Sequence, residues 1–291
     1  EYLLDSGIYW DSMSSGEPGT KALYAISLAL GEDPRLFLLL VSLLAVSLYV
    51  WSIRKTAVLP ATALFVFIAF GFYLFHFNGL RQGLALGFFL VALHYLVSGN
   101  LWRYLAWGVL AGLFHSTAIF MLPVYFFARR GLTALNIILL LSGSTILALM
   151  LGPLLELLGL INPRYAAYAD RTETGGVLLT GFYVGACVLF LVLRGGVKKS
   201  LLADYDKLLM LMLSGAAIFA TVTVTGSYVE LTRMALYLTA AMVFLVPILL
   251  VSAKSSALRR LSYAVVFYSG CGFYFLFLSQ IGGYVPYNLW S

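Results

Sequence analysis

The chain has 291 residues, 62% of them hydrophobic and 10% charged, with a mean hydropathy of +0.96 and a formal net charge of +6. Soluble domains run at about 45–50% apolar and about 25% charged, so an ordinary soluble enzyme is excluded. A nucleic-acid surface is excluded as well, because most of the basic residues sit in short loops between apolar runs.

The chain opens at Glu1 without a methionine, and a preceding segment is expected. The stretch SGEPG places Glu17 before Pro18 and breaks the chain. Thr20–Leu30 then reads as a short interfacial helix within an external loop over 1–34. Nine apolar segments follow, at 36–53, 57–76, 80–98, 103–128, 132–155, 176–193, 207–226, 232–252 and 258–280. Most approach the roughly 20 residues that cross a hydrocarbon core. The expected fold is an all-α polytopic membrane protein, a single transmembrane domain over 1–291. Cys187 and Cys271 stand singly in apolar runs, which gives neither a disulfide framework nor metal-ligand spacing.

The basic loops are Arg54-Lys55, Arg103, Arg129-Arg130, Arg194 with Lys198-Lys199, and Lys254 with Arg259-Arg260. The positive-inside rule places all five in the cytoplasm. Nine full crossings break that parity between Arg103 and Arg130, and a re-entrant hairpin over 103–128 restores it. Its limbs, WRYLAWGVLAGLF and AIFMLPVYFF, are each too short to cross and flank His115-Ser116-Thr117. The segment before residue 36 and the loop at 156–175 then lie outside.

The unusual residues collect on that external side. Asn78, Arg81 and Gln82 share one face if their segment is a single helix. A guanidinium between two amides suits a phosphate or pyrophosphate, and it equally suits an arginine snorkelling at a membrane edge. His115, at the hairpin tip, reads as a proton acceptor, a phosphate contact or a structural histidine. In NPRYAAYADRTETGG, Arg164, Tyr165, Tyr168 and Arg171 recur at spacings of three and four. That pattern fits sugar stacking and phosphate contacts, or a solvated loop with belt tyrosines. Tyr228, Glu230 and Arg233 open another span, where an arginine is rarely decorative. His76 and His94 read as structural. No P-loop, HExxH, metal-spaced DxD or GxSxG is present, so no metal or soluble-nucleotide chemistry and no cofactor is expected.

EPG near residue 17, NGLRQGLAL from Asn78 and GLFHSTAIFMLPVYF from Gly112 together resemble the EpsG-like family of bacterial exopolysaccharide polymerases, relatives of the Wzy-type polymerases. The resemblance implies a GT-C-like integral membrane glycosyltransferase in the bacterial cytoplasmic membrane, active on its outer face. It implies transfer of a glycan from undecaprenyl pyrophosphate to the non-reducing end of a lipid-linked repeat unit. Arg81, with Arg164, Arg171 or Arg233, would hold pyrophosphate, with Asn78, Gln82 and Tyr228 lining the site. Glu17 or His115 would act as base or orient the acceptor, and Tyr165 and Tyr168 would bind sugar. Implied partners are the lipid-linked oligosaccharide, membrane lipids, a flippase and a chain-length regulator. The chief rival is a flippase or transporter for the same lipid. It would need a polar path through the membrane and often shows internal repeats, whereas the polar groups here gather on one face and no repeat stands out. The sequence also admits a sugar O-acyltransferase with His115 as base, and a purely structural membrane subunit.

Overall fold

The computed structural model describes residues 16–31, 33–160, 176–225 and 229–281, and every regular element among them is helical. Helix α1 spans Pro18–Leu30, α2 Pro34–Thr56, α3 Pro60–Ala69, α4 Phe75–Asn78, α5 Leu80–Val97 and α6 Leu101–Phe114. A 3-10 turn over Ser116–Met121 leads into α7, Val124–Ala128. Then come α8 (Ala134–Gly159), α9 (Val177–Leu193), α10 (Lys199–Thr225), α11 (Val229–Thr239), α12 (Met242–Ser252) and α13 (Ser256–Leu276).

Six stretches of the described residues are long and apolar enough to cross a membrane: Arg35–Thr56, Leu80–Val97, Val177–Gly196, Lys199–Thr225, Leu231–Ser252 and Ser256–Ser279. Of the other three expected spans, 57–76 and 103–128 fall on shorter apolar helices and 132–155 falls on α8. Over 57–76 the reason is local: α3 stops at Ala69, and Gly71 takes a left-handed φ of 81° with the Phe277 ring packed against it. A side chain there would be strained, so glycine permits the turn.

Over 103–128 the chain folds back on itself. Tyr104 donates its hydroxyl to the Met121 carbonyl at 2.8 Å, and Tyr125 donates to the Gly99 carbonyl at 2.9 Å. The return limb therefore ends beside the residue from which α6 departs. Gly108 and Gly112 make the close approach possible, since a Cβ on either would collide with Leu122 or Ile119 of the returning limb.

α5 and the α11–α12 pair form the buried centre, while α9 and α13 lie at the periphery with apolar side chains such as Val188, Val192, Val265 and Phe275 exposed along them. Outward apolar faces the length of a helix are what a lipid-facing helix carries. Between helices, buried hydroxyls supply polar contacts: Ser144 of α8 meets Ser214 of α10 at 2.5 Å, and Thr180 of α9 meets Thr223 of α10 at 2.6 Å. The protein is a polytopic helical membrane protein.

The basic loops gather at one end of the bundle. Thr56, closing α2, meets His94 near the end of α5 at 3.2 Å. Lys207 of α10 donates to the Val97 carbonyl at 2.5 Å, and the Lys198 amide donates to the Ser252 hydroxyl that ends α12. Each contact joins loops that carry the arginines and lysines. The N-terminus of α5 lies about 27 Å away by helix rise, and there the polar residues of interest converge.

Candidate active site

Three elements deliver the central group. Glu17 stands at the N-cap of α1 in extended conformation, with Pro18 at the first helical position. Proline presets the helical φ and gives up an amide that has no partner in a first turn. Gly19 then lets α1 sit directly on the end of α6: a Cβ there would lie 2.8 Å from the Leu113 carbonyl oxygen and 3.0 Å from the Phe114 ring. That contact sets Glu17 beside His115, the residue at which α6 terminates. Arg81 arrives from the first turn of α5. A cation at the positive end of a helix dipole is unfavourable by a few tenths of a kcal/mol or more, and a carboxylate nearby offsets it.

The geometry is a linear cluster. Arg81 Nη1 donates to Glu17 Oε2 at 2.8 Å, and the other carboxylate oxygen, Oε1, lies 3.7 Å from His115 Nδ1. The first is a charge-assisted hydrogen bond; the second is too long for one and acts through space. Glu17 and His115 side chains are each 12% exposed and Arg81 25%. Burial opposes ionisation of Glu17, but His115 and the Arg81 guanidinium outweigh it and hold the carboxyl at about 2. Glu17 is therefore a fixed anion. Neither ring nitrogen of His115 has a hydrogen-bond partner among the described residues.

Gln82 faces another way. Its amide donates to the Arg233 carbonyl at 2.8 Å, tying α5 to α11, and its own oxygen is buried without a partner among the described residues. Arg233 is thereby held at the same end of the bundle as Arg81. Gln82 is an anchor between helices in this arrangement, where its spacing from Arg81 had suggested a substrate contact. The expected single face over 78–82 is not formed: Asn78 closes α4, and Gly79 separates it from α5. Arg164, Tyr165, Tyr168, Arg171 and Tyr228 lie outside the described residues, as does the side chain of Glu230.

Two hydroxyls that sequence reasoning did not select flank the cluster. Thr20 is 2% exposed, and the Thr117 oxygen is buried two residues after His115; neither has a hydrogen-bond partner among the described residues. The only signal for Thr20 was its spacing of three from Glu17, which places both on one helical face.

The sequence profile of the EpsG family matches residues 2–289, nearly the whole chain. The chain belongs to the EpsG family. No curated protein and no solved structure matches it. EpsG membership implies a role as a polymerase in exopolysaccharide formation. In this EpsG-family chain the three motifs that carried the resemblance contribute Glu17, Arg81 and His115, which meet in one cluster.

Proposed function

We propose that the chain is a membrane glycosyltransferase that polymerises exopolysaccharide on the outer face of the cytoplasmic membrane. The growing glycan on undecaprenyl pyrophosphate is transferred to the non-reducing end of a second lipid-linked repeat unit. The observation that carries this reading is the meeting of a guanidinium, a fixed carboxylate and an imidazole that makes no hydrogen bond among the described residues, at one end of the bundle, opposite the basic loops.

The acceptor hydroxyl attacks the anomeric carbon of the donor. A new carbon–oxygen bond forms, and the bond to pyrophosphate breaks with its electron pair leaving on the lipid pyrophosphate. The hydroxyl proton passes to His115, whose ring nitrogens accept no hydrogen bond among the described residues; Glu17, held ionised, is too weak a base and instead fixes His115 and Arg81. Arg81, joined by Arg233 from the first turns of α11, stabilises the charge developing on pyrophosphate, and no metal ion is invoked. Arg164 and Arg171 would add to that positive charge, and Tyr165, Tyr168 and Tyr228 would face the sugars.

The test is reconstitution of purified protein with an undecaprenyl-pyrophosphate-linked repeat unit, wild type beside Arg81→Ala, products separated on a gel. The expected result is a ladder of polymers in wild type only. Absence of any ladder, with the lipid instead translocated across proteoliposomes, would reassign the protein to transport.

A further inference from the structure

At the end of the bundle opposite Arg81 the chain gathers positive charge that it does not itself neutralise. From residue 174 to 291 the acids are Asp204, Asp206 and Glu230, and Glu230 opens α11 at the other end. Both acids at the basic end are taken. Arg194 donates through Nε and Nη2 to the two oxygens of Asp206 at 2.7 Å each, and Lys207 donates to Asp204 at 3.2 Å. Lys198, Lys199, Lys254, Arg259 and Arg260 are exposed and make no ion pair among the described residues. The fold brings the loops that carry them together: the Lys198 amide donates at 3.1 Å to the hydroxyl of Ser252, which closes α12 just before Lys254. Like charges held on adjoining loops repel one another, and a bound anion relieves that repulsion.

Hydrocarbon surface begins directly beside these cations. Val192 is exposed at the end of α9, and the exposed Leu258 and Leu261 flank Arg259-Arg260 on α13. Towards the other end of the bundle α9 and α13 meet at the rings of Phe182 and Phe273, whose centroids are 4.6 Å apart. That contact lies about 18 Å from Arg194 by helix rise, slightly more than half of a hydrocarbon core about 30 Å thick. Along the interval Val188 and Val265 are exposed as well.

We propose that this patch binds a phospholipid with two phosphates in its headgroup, of the diphosphatidylglycerol class, whose acyl chains lie on the outward faces of α9 and α13. The site is separate from the chemistry at Arg81 and does not depend on it. An acidic protein segment or a nucleic acid would answer the charge and leave the adjoining apolar faces uncovered, whereas a phospholipid covers both. One phosphate would answer a single loop. Two phosphates joined through a glycerol can face Lys198-Lys199 and Arg259-Arg260 together.

The experiment titrates the full chain in neutral detergent with tetraoleoyl diphosphatidylglycerol and with dioleoylphosphatidylglycerol, read by native mass spectrometry. Wild type should bind one diphosphatidylglycerol at least about tenfold more tightly than phosphatidylglycerol, the gain from a second, tethered phosphate. A cation beside an anionic headgroup contributes a factor of about five. Arg259→Ala with Arg260→Ala, and Lys198→Ala with Lys199→Ala, should therefore each weaken binding by about 25-fold. Arg129→Ala with Arg130→Ala removes the same charge from another basic loop and should weaken it by less than about threefold. Equal losses in all three double variants would overturn the site, leaving only the general attraction of a basic surface for anionic lipid. Equal affinity for the two lipids would overturn the two-phosphate assignment. Displacement of the lipid by an equal concentration of octaglutamate would overturn it too, making the patch a surface for an acidic protein segment. Should a double variant fail to fold, wild type labelled with a diphosphatidylglycerol carrying a diazirine in one acyl chain answers the same question. Crosslinks within 177–196 or 256–276 are expected, and crosslinks confined to other elements would overturn the proposal.

Discussion

Glu17 and Arg81 are 64 positions apart in the chain, and their side chains meet at 2.8 Å with the carboxylate only 12% exposed. A partly buried ion pair of this kind gives up part of its attraction to the desolvation of its two charges. It also places a cation at the wrong end of the α5 dipole. Both features make sense when the pair is a site for an anionic ligand, with Glu17 holding the guanidinium in position until that ligand arrives.

Arg81→Ala is therefore expected to lower polymer formation by about 10²–10³-fold, the range found when one preorganised charge-stabilising donor is removed. Arg81→Lys keeps the charge and loses the planar fork, and should recover only part of that loss. Turnover with the lipid-linked repeat unit checks both, and full polymer yield in both variants would remove Arg81 from the chemistry.

Much of this cluster was legible in the sequence. Glu17 before Pro18, Arg81 at the start of an apolar run and the break at His115 are local signals, and a charge or a helix break stands out against greasy surroundings. The folding back of 103–128 was legible too, since neither limb is long enough to cross. The parts that were not legible depend on contacts between distant segments. The orientation of Gln82 is decided by the Arg233 carbonyl, 151 positions away, and the turn at Gly71 by the ring of Phe277. Thr20 looked like any helical threonine until its burial was known.

The Glu17 carboxyl sets an acid limit on stability. Its value falls from 4.5 in the unfolded chain to about 2 in the fold, so the folded state favours the ionised form. The resulting stabilisation, on the order of 3 kcal/mol, is complete above about pH 4.5 and is lost as the pH falls towards 2. Wild type should accordingly exceed Glu17→Gln in thermal stability by a constant margin from pH 8 to about 5, with the margin shrinking below that. A margin independent of pH down to 3 would show that Glu17 is not held as an anion.

The hairpin predicts a contrast between two glycines. A Cβ at Gly112 meets Cγ1 of Ile119, a branched and stiff side chain, whereas one at Gly108 meets only the far end of Leu122. Gly112→Ala should destabilise by about 1–3 kcal/mol through overpacking, with Gly108→Ala affected less. Unfolding midpoints in detergent rank the two, and equal effects would mean the return limb is not packed as described.

Gly19 offers a way to separate the site from the fold. An added methyl meets the backbone oxygen of Leu113, which cannot swing aside as a side chain can. Gly19→Ala is thus expected to lift the start of α1 off α6 and carry Glu17 away from His115, with the core around α5 and α12 untouched. Effects on geometry of about 1 Å can lower a rate by around 10²-fold, so polymer formation should fall far more than thermal stability does. Adding Gly112→Ala gives the control, since that change strains the hairpin without moving Glu17. A Gly19→Ala protein that melts early and yet polymerises at the wild-type rate per folded molecule would break the link between this helix contact and the chemistry.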